Sequence, residues 1–127
     1  MFSYRNSNNN IKRYKMDLEK LQLTGVEEKR PLVIAGPCSA ETEDQVMETA
    51  KELAKNGVKV FRAGIWKPRT KPGGFEGNGI VALPWMQQVK KETGMLTATE
   101  VATAKHVEEA LKYDIDLLWI GARTTAD

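Results

Sequence analysis

A single cysteine, Cys38, rules out an internal disulfide and agrees with a reducing compartment. Charge of one sign is also missing. The net charge is +2 from 19 basic and 17 acidic residues, which excludes a general polyanion-binding surface, so nucleic acid is not an expected partner and any attraction for anions is local. Long hydrophobic runs are absent too: "LVIAG" and "LLWIG" are far too short to cross a bilayer, and the opening "MFSYRNSNNNIKRYK" has no apolar stretch of a secretory signal. The expectation is a cytoplasmic chain with no membrane partner. The 127 residues, 41% hydrophobic and 28% charged, suit one globular domain.

Two regions differ in texture. Residues 1–30 are polar and asparagine-rich without a usable period, and read as a leader or an upstream extension, with Met1 and Met16 both open as starts. From Pro31 strand and helix patterns alternate. "LVIAG" reads as a buried strand, and "TEDQVMETAKELAKNG" as a helix with a Thr42/Gln45 capping box, an apolar face of Val46, Met47, Ala50, Leu53 and Ala54, and Gly57 at its end. "VKVFRAG" is the second strand. "ALPWMQQVKKETG" is the second helix, with Pro84 in its first turn and Gly94 at its close. "MLTATE" then reads as a strand, "ATAKHVEEALKYD" as a helix with Val107, Ala110 and Leu111 on one face, and "IDLLWIG" as the fourth strand. This alternation predicts an α/β fold with parallel strands joined by right-handed crossovers.

In such folds ligands bind at the C-terminal ends of the strands. Those ends here read "GPCSAE", "RAGIWKPRTKPGG", "TATEV" and "GARTT", so Cys38, Arg62, Lys67, Arg69, Glu100 and Arg123 are expected to converge. Four cations at one face suit a ligand with several negative charges, since guanidinium forks match phosphate or carboxylate oxygens and lysine adds a compact charge. Arg62 lies inside a strand pattern, which calls for an anionic partner. Lys59 and Lys71 read as solvated. A lone cysteine is usually core, but Cys38 follows a strand end beside Gly36 and Pro37. His106, the one histidine, falls on a helix outside the sheet and reads as a surface residue, not a ligand or base. Trp66, Trp85 and Trp119 form no stripe and read as packing residues.

Taken together, "AGPCSAET", "FRAGIWKPRTKPGGFEG", "TATEV" and "WIGARTT" resemble, in order and spacing, the first half of the 3-deoxy-D-arabino-heptulosonate 7-phosphate synthases, from about Pro31 to the last residue. The similarity is to the short-barrel type, including forms fused to a chorismate mutase domain. The "KPRT" element sets it apart from the sister 3-deoxy-octulosonate 8-phosphate synthases, which usually have "KANRS" there. After "GARTT" the family usually continues "ES" or "AN", whereas this chain has Ala126 and Asp127.

The resemblance implies a (β/α)8 TIM barrel that condenses phosphoenolpyruvate with erythrose 4-phosphate and water, the first step of the shikimate pathway, in a homo-oligomeric parent enzyme. It implies a divalent metal cation, Mn2+ or similar, with Cys38 as thiolate ligand. Arg62 and Lys67 are implied as catalytic cations on the phosphoenolpyruvate carboxylate and Arg123 on its phosphate, with backbone near Glu100 and Ala122 assisting. Pro68, Arg69 and Thr70 are implied as erythrose 4-phosphate contacts. An eight-stranded barrel takes about 250 residues, so residues 31–127 are expected to be its first half, inactive alone. The other metal ligands, a histidine and two acidic residues, then lie outside this chain, as does any chorismate mutase domain or partner. A second reading is a non-catalytic half-barrel that binds phosphate compounds or pairs with a complementary half. The DNA beyond codon 127 distinguishes the two.

Overall fold

A computed structural model describes residues 2–5, 11–14, 19, 21–27, 31–67 and 77–125. Two strands, β1 (Phe2–Arg5) and β2 (Ile11–Tyr14), pair antiparallel with Phe2 opposite Tyr14. The leader thus contains an element that its composition did not announce. "FSYR" and "IKRY" each mix aromatic or β-branched residues with polar ones, as short strands do, and the intervening asparagines mask that pattern.

The main sheet contains β3 (Ile34–Ala35), β4 (Val60–Arg62), β5 (Leu96–Val101) and β6 (Leu117–Ile120), all parallel and in chain order. Unlike a doubly wound sheet, this order has no reversal and so no switch point. It is the progression of a barrel wall, here over four strands. Helices α1 (Glu43–Lys55), α2 (Leu83–Thr93) and α3 (Ala104–Lys112) follow the first three strands, a 3-10 turn (Gly79–Ala82) precedes α2, and a short α4 (Ala122–Thr125) follows β6. The expected α/β class and half-barrel topology are present.

Local chemistry explains the helix limits. Thr42 Oγ1 accepts the Gln45 N–H while the Gln45 side chain returns to the cap backbone, a full capping box that satisfies otherwise orphaned donors. Pro84 sits in the first turn of α2, and Gly94 ends that helix at φ 74, a left-handed conformation cheap only for glycine. The strands are shorter than their apolar runs. Only Ile34 and Ala35 of "LVIAG" pair with β4, and Leu32 and Val33 are exposed. In α3, Ala110 turns inward, but Leu111, expected beside it on the apolar face, is exposed.

Residues in register across a parallel sheet share a face. Phe61 aligns with Ala35 and Thr97, and this face packs on the helices: Phe61, Ile65, Leu83, Met86 and Val89 are fully buried in one cluster. Burial of each large side chain contributes roughly 2 kcal/mol. Arg62 aligns with Ala98, and Glu100 with Trp119, so these side chains belong to the opposite face. The sheet therefore buries its hydrocarbon against the helices and turns its charge the other way. Among the described residues no helix is long and apolar enough to cross a membrane.

Candidate functional site

The ends of all four strands of the main sheet build the site. The first junction, residues 36–40, lies directly against the end of β4: Gly36 has φ 154, and a Cβ there would run into the Arg62 carbonyl. Beyond it, the Ala40 N–H donates to the Gly64 carbonyl at 2.9 Å. Gly64 is needed for closeness of another kind, since a Cβ would strike the Cys38 carbonyl and the end of the Lys67 side chain. One backbone carbonyl and a lysine side chain occupy the space that a methyl group would take.

This packing sets the position of Cys38, whose thiol is exposed. Lys67 Nζ lies 3.3 Å from Cys38 Sγ. The hydrogen bond and charge of Lys67 hold the thiol below its ordinary pKa, against a small opposing effect of burial, and Arg62 adds a further downward pull. The arrangement favours a thiolate beside two cations.

Arg62 is half-buried on the charged face of the sheet. Its Nη2 donates to the Pro37 carbonyl at 3.3 Å, and its guanidinium carbon lies 5.7 Å from the Trp119 ring centroid, a cation–π contact to β6. Its Nε is buried and unpartnered; among the described residues only the Ser39 hydroxyl shares that condition. Leaving a buried donor unsatisfied costs about 1–3 kcal/mol, which a ligand acceptor recovers. Just after β6, Gly121 leaves room for the Glu100 carboxylate, which would collide with a Cβ there. Ala122 and Arg123 open α4 at this same edge. Arg123 is described only in its backbone, and Pro68, Arg69, Thr70 and Lys71 lie outside the described residues.

Several residues with a part in this geometry give no signal in sequence. Asn78 donates to the carbonyls of Ala40 and Glu41 at 2.7 and 2.9 Å, tying the return of the β4 loop to the first junction. His106 is not a plain surface residue: it is half-buried and stacks on Trp66 with centroids 4.2 Å apart and planes 8° from parallel. Burial pushes its imidazole pKa down. Trp119, read from the sequence as a packing residue, lies against the Arg62 guanidinium.

For a divalent metal, the thiolate character of Cys38 fits a borderline or soft ion. Among the described residues no group of three or more His, Cys, Asp or Glu could hold one, so a metal at Cys38 would need ligands from beyond them. For an anion the fit is broader, with the free Arg62 Nε and the Lys67 ammonium both at the end of β4.

Known proteins are similar to this chain in sequence and fold. A model of the DAHP synthetase I family matches residues 13–127. Phospho-2-dehydro-3-deoxyheptonate aldolase of Thermotoga maritima is 41% identical over 91 residues, 72% of this chain and 27% of that protein. The chain therefore spans about a quarter of that relative's length. The crystal structure of a Thermotoga maritima phospho-2-dehydro-3-deoxyheptonate aldolase superimposes with a TM-score of 0.64 at 39% identity, over 71% of this chain and 25% of that one. 2-dehydro-3-deoxyphosphooctonate aldolase of Nitratidesulfovibrio vulgaris strain DP4 is 33% identical over 79 residues, 57% of this chain and 29% of the relative.

Proposed function

We propose, from the premise that this chain belongs to the DAHP synthetase I family, that residues 31–127 supply the first half of a barrel enzyme that condenses phosphoenolpyruvate with erythrose 4-phosphate. In the reaction, C3 of phosphoenolpyruvate forms a bond to the aldehyde carbon, water adds at C2, and inorganic phosphate leaves with cleavage of its C–O bond. Arg62 and Lys67 bind the carboxylate of phosphoenolpyruvate and Arg123 its phosphate, with backbone near Glu100 and Ala122 assisting. Pro68, Arg69 and Thr70 contact erythrose 4-phosphate. Bringing two phosphorylated anions together costs electrostatic energy, and fixed cations offset that repulsion at no reorganisation cost during the reaction.

The observation that most favours this reading is the buried, unpartnered Arg62 Nε beside the Lys67–Cys38 pair. A guanidinium held by Pro37 and Trp119 with one donor still free is prepared for a carboxylate or phosphate oxygen. Cys38 is the chain's own ligand for a divalent cation, which supplies polarisation of the aldehyde oxygen when bound. Its remaining ligands come from outside this chain. Half of a site does not organise two anions, so residues 1–127 alone are inactive. The protein acts in the cytoplasm, as part of a homo-oligomeric enzyme.

The likeness to a 2-dehydro-3-deoxyphosphooctonate aldolase favours a second reading, in which arabinose 5-phosphate is the aldose. "KPRT" at Lys67 to Thr70 argues for the four-carbon substrate. Phosphate release by the protein encoded by the complete gene, assayed with each aldose, tests this: kcat/KM is expected to be higher with erythrose 4-phosphate, and equal or reversed values refute the assignment. In the same protein Cys38→Ser is expected to lower bound transition metal on elemental analysis while the fold persists, and unchanged metal content would remove Cys38 from the ligand set.

A further inference from the structure

Helices α1 and α3 begin with the same hydrogen-bonding device. In α1 the Gln45 N–H donates to Thr42 Oγ1 at 3.0 Å, and Gln45 Oε1 accepts the N–H of Glu41, the residue before the cap, at 2.8 Å. In α3 the His106 N–H donates to Thr103 Oγ1 at 3.1 Å, and His106 Nδ1 accepts the N–H of Ala102, again the residue before the cap, at 3.1 Å. A backbone N–H can only donate, so Nδ1 carries no proton and His106 is neutral in this arrangement. Capping needs only an acceptor at this position, and glutamine meets that need in α1. What the imidazole adds is a flat face, and that face lies on Trp66.

Trp66 stands at a junction. It directly precedes Lys67, whose ammonium touches Cys38. Its neighbour Ile65 is fully buried and accepts the Gly79 N–H at 3.0 Å, which joins the outgoing and returning ends of the loop. Trp66 itself packs on the main core. The stack therefore links α3, which follows the third strand of the sheet, to the backbone that aims Lys67.

We infer that His106 is a positioning residue: through its stack on Trp66 it fixes the backbone from which Lys67 reaches Cys38, and so sets the cation placement that the first two strand ends share. The catalytic meaning of Lys67 rests on the function proposed above, but the positioning claim does not, and its test needs no substrate. The chain has one cysteine, so the rate of its alkylation by iodoacetamide at fixed pH reports whether the Lys67 ammonium stays beside the thiol.

Lys67→Met in the full chain sets the rate for a lost contact. His106→Gln keeps the cap, as Gln45 does, but removes the stack; His106→Phe keeps a flat ring but removes the acceptor. His106→Gln is expected to slow alkylation by about two- to fivefold with Tm nearly unchanged. His106→Phe is expected to alkylate at the wild-type rate despite a lower Tm. Trp66→Leu attacks the stack from its other side and is expected to slow the reaction like His106→Gln, so the claim stays testable if one variant does not fold. Adding His106→Gln to Lys67→Met should slow the reaction no further, because both act through one contact. A wild-type rate in His106→Gln or in Trp66→Leu, or equal slowing in His106→Gln and His106→Phe, overturns the inference. Failure of the synthase reading would appear in the aldose assay and leave these rates untouched.

Discussion

Lys67 Nζ and Cys38 Sγ are 3.3 Å apart although they belong to different strand–helix junctions. The contact exists because Gly64 lets the two junctions close on each other. It gives the thiol a fixed cation, by hydrogen bond first and by charge second. Alkylation measured across a pH series is therefore expected to show a midpoint below that of a free thiol, and Lys67→Met should move the midpoint upward. At about pH 7.5 that change slows the reaction about three- to tenfold. A profile indifferent to the substitution would mean that the pair does not form in solution.

Gly64 and Gly57 separate two reasons for a glycine. Gly57 has φ 86 with open space around it, so alanine there meets only backbone strain of about 1–2 kcal/mol. Gly64 has no left-handed backbone, but its methyl would overlap the Cys38 carbonyl, and backbone cannot swing aside as a flexible side chain can. Gly64→Ala is expected to destabilise by about 1–3 kcal/mol and to disturb Cys38, whereas Gly57→Ala lowers stability and leaves the thiol alone. Urea unfolding paired with the alkylation rate distinguishes them.

His106 makes stability depend on pH with a definite sign. Burial lowers its folded-state pKa below that of the unfolded chain, so between the two values the unfolded chain binds more protons. The stabilisation is fully present above the ordinary imidazole pKa and is lost as pH falls through the lower, folded value. Protonation also places a hydrogen on Nδ1, where the Ala102 N–H now donates. Thermal unfolding from about pH 8 to about pH 5 should therefore show a steeper fall in Tm for the wild type than for His106→Gln, which has no group titrating there. Parallel curves would show that the imidazole is not held neutral by the fold.

The outer strands of the sheet lead to a prediction about association. Val33, beside β3, is 58% exposed and Ile120, on β6, 61% exposed. Strand edges with apolar side chains are templates for pairing with another chain. Residues 1–127 on their own are expected to sediment as dimers or larger species, and the pair Val33→Lys and Ile120→Lys should shift them toward monomer, because charge on an edge opposes pairing. A monomer in both forms would show that neither edge drives association.

How far the sequence disclosed this structure depends on the range over which each feature is decided. Thr42, Gln45, Pro84 and Gly94 act within a turn or two of their own helix, and their roles were legible. So was the alternation that makes four parallel strands. The paired length of β3 was not, because it depends on how much of the neighbouring strand lies alongside. Nor was the exposure of Leu111, which depends on what covers α3. At the site, Cys38, Arg62 and Lys67 could be assigned to one sheet end from topology and resemblance. The Trp66–His106 stack, the Trp119 contact and the grip of Asn78 join residues from separate units. No local period encodes them. The β1–β2 pair was missed because asparagine-rich composition outweighed two short alternating runs.

Strand order matching chain order has a consequence for synthesis. Each strand of the main sheet after β3 pairs with the one made just before it, so from β3 to β6 no strand waits beside a gap for its partner within this sheet. Translation delivers residues slowly compared with local helix and loop formation. The growing chain can therefore lay each new strand–helix unit against a neighbour already in place, with the most recent strand as the exposed template for the next. The direction of assembly is written into the topology: from β3 toward β6, at the pace of the ribosome.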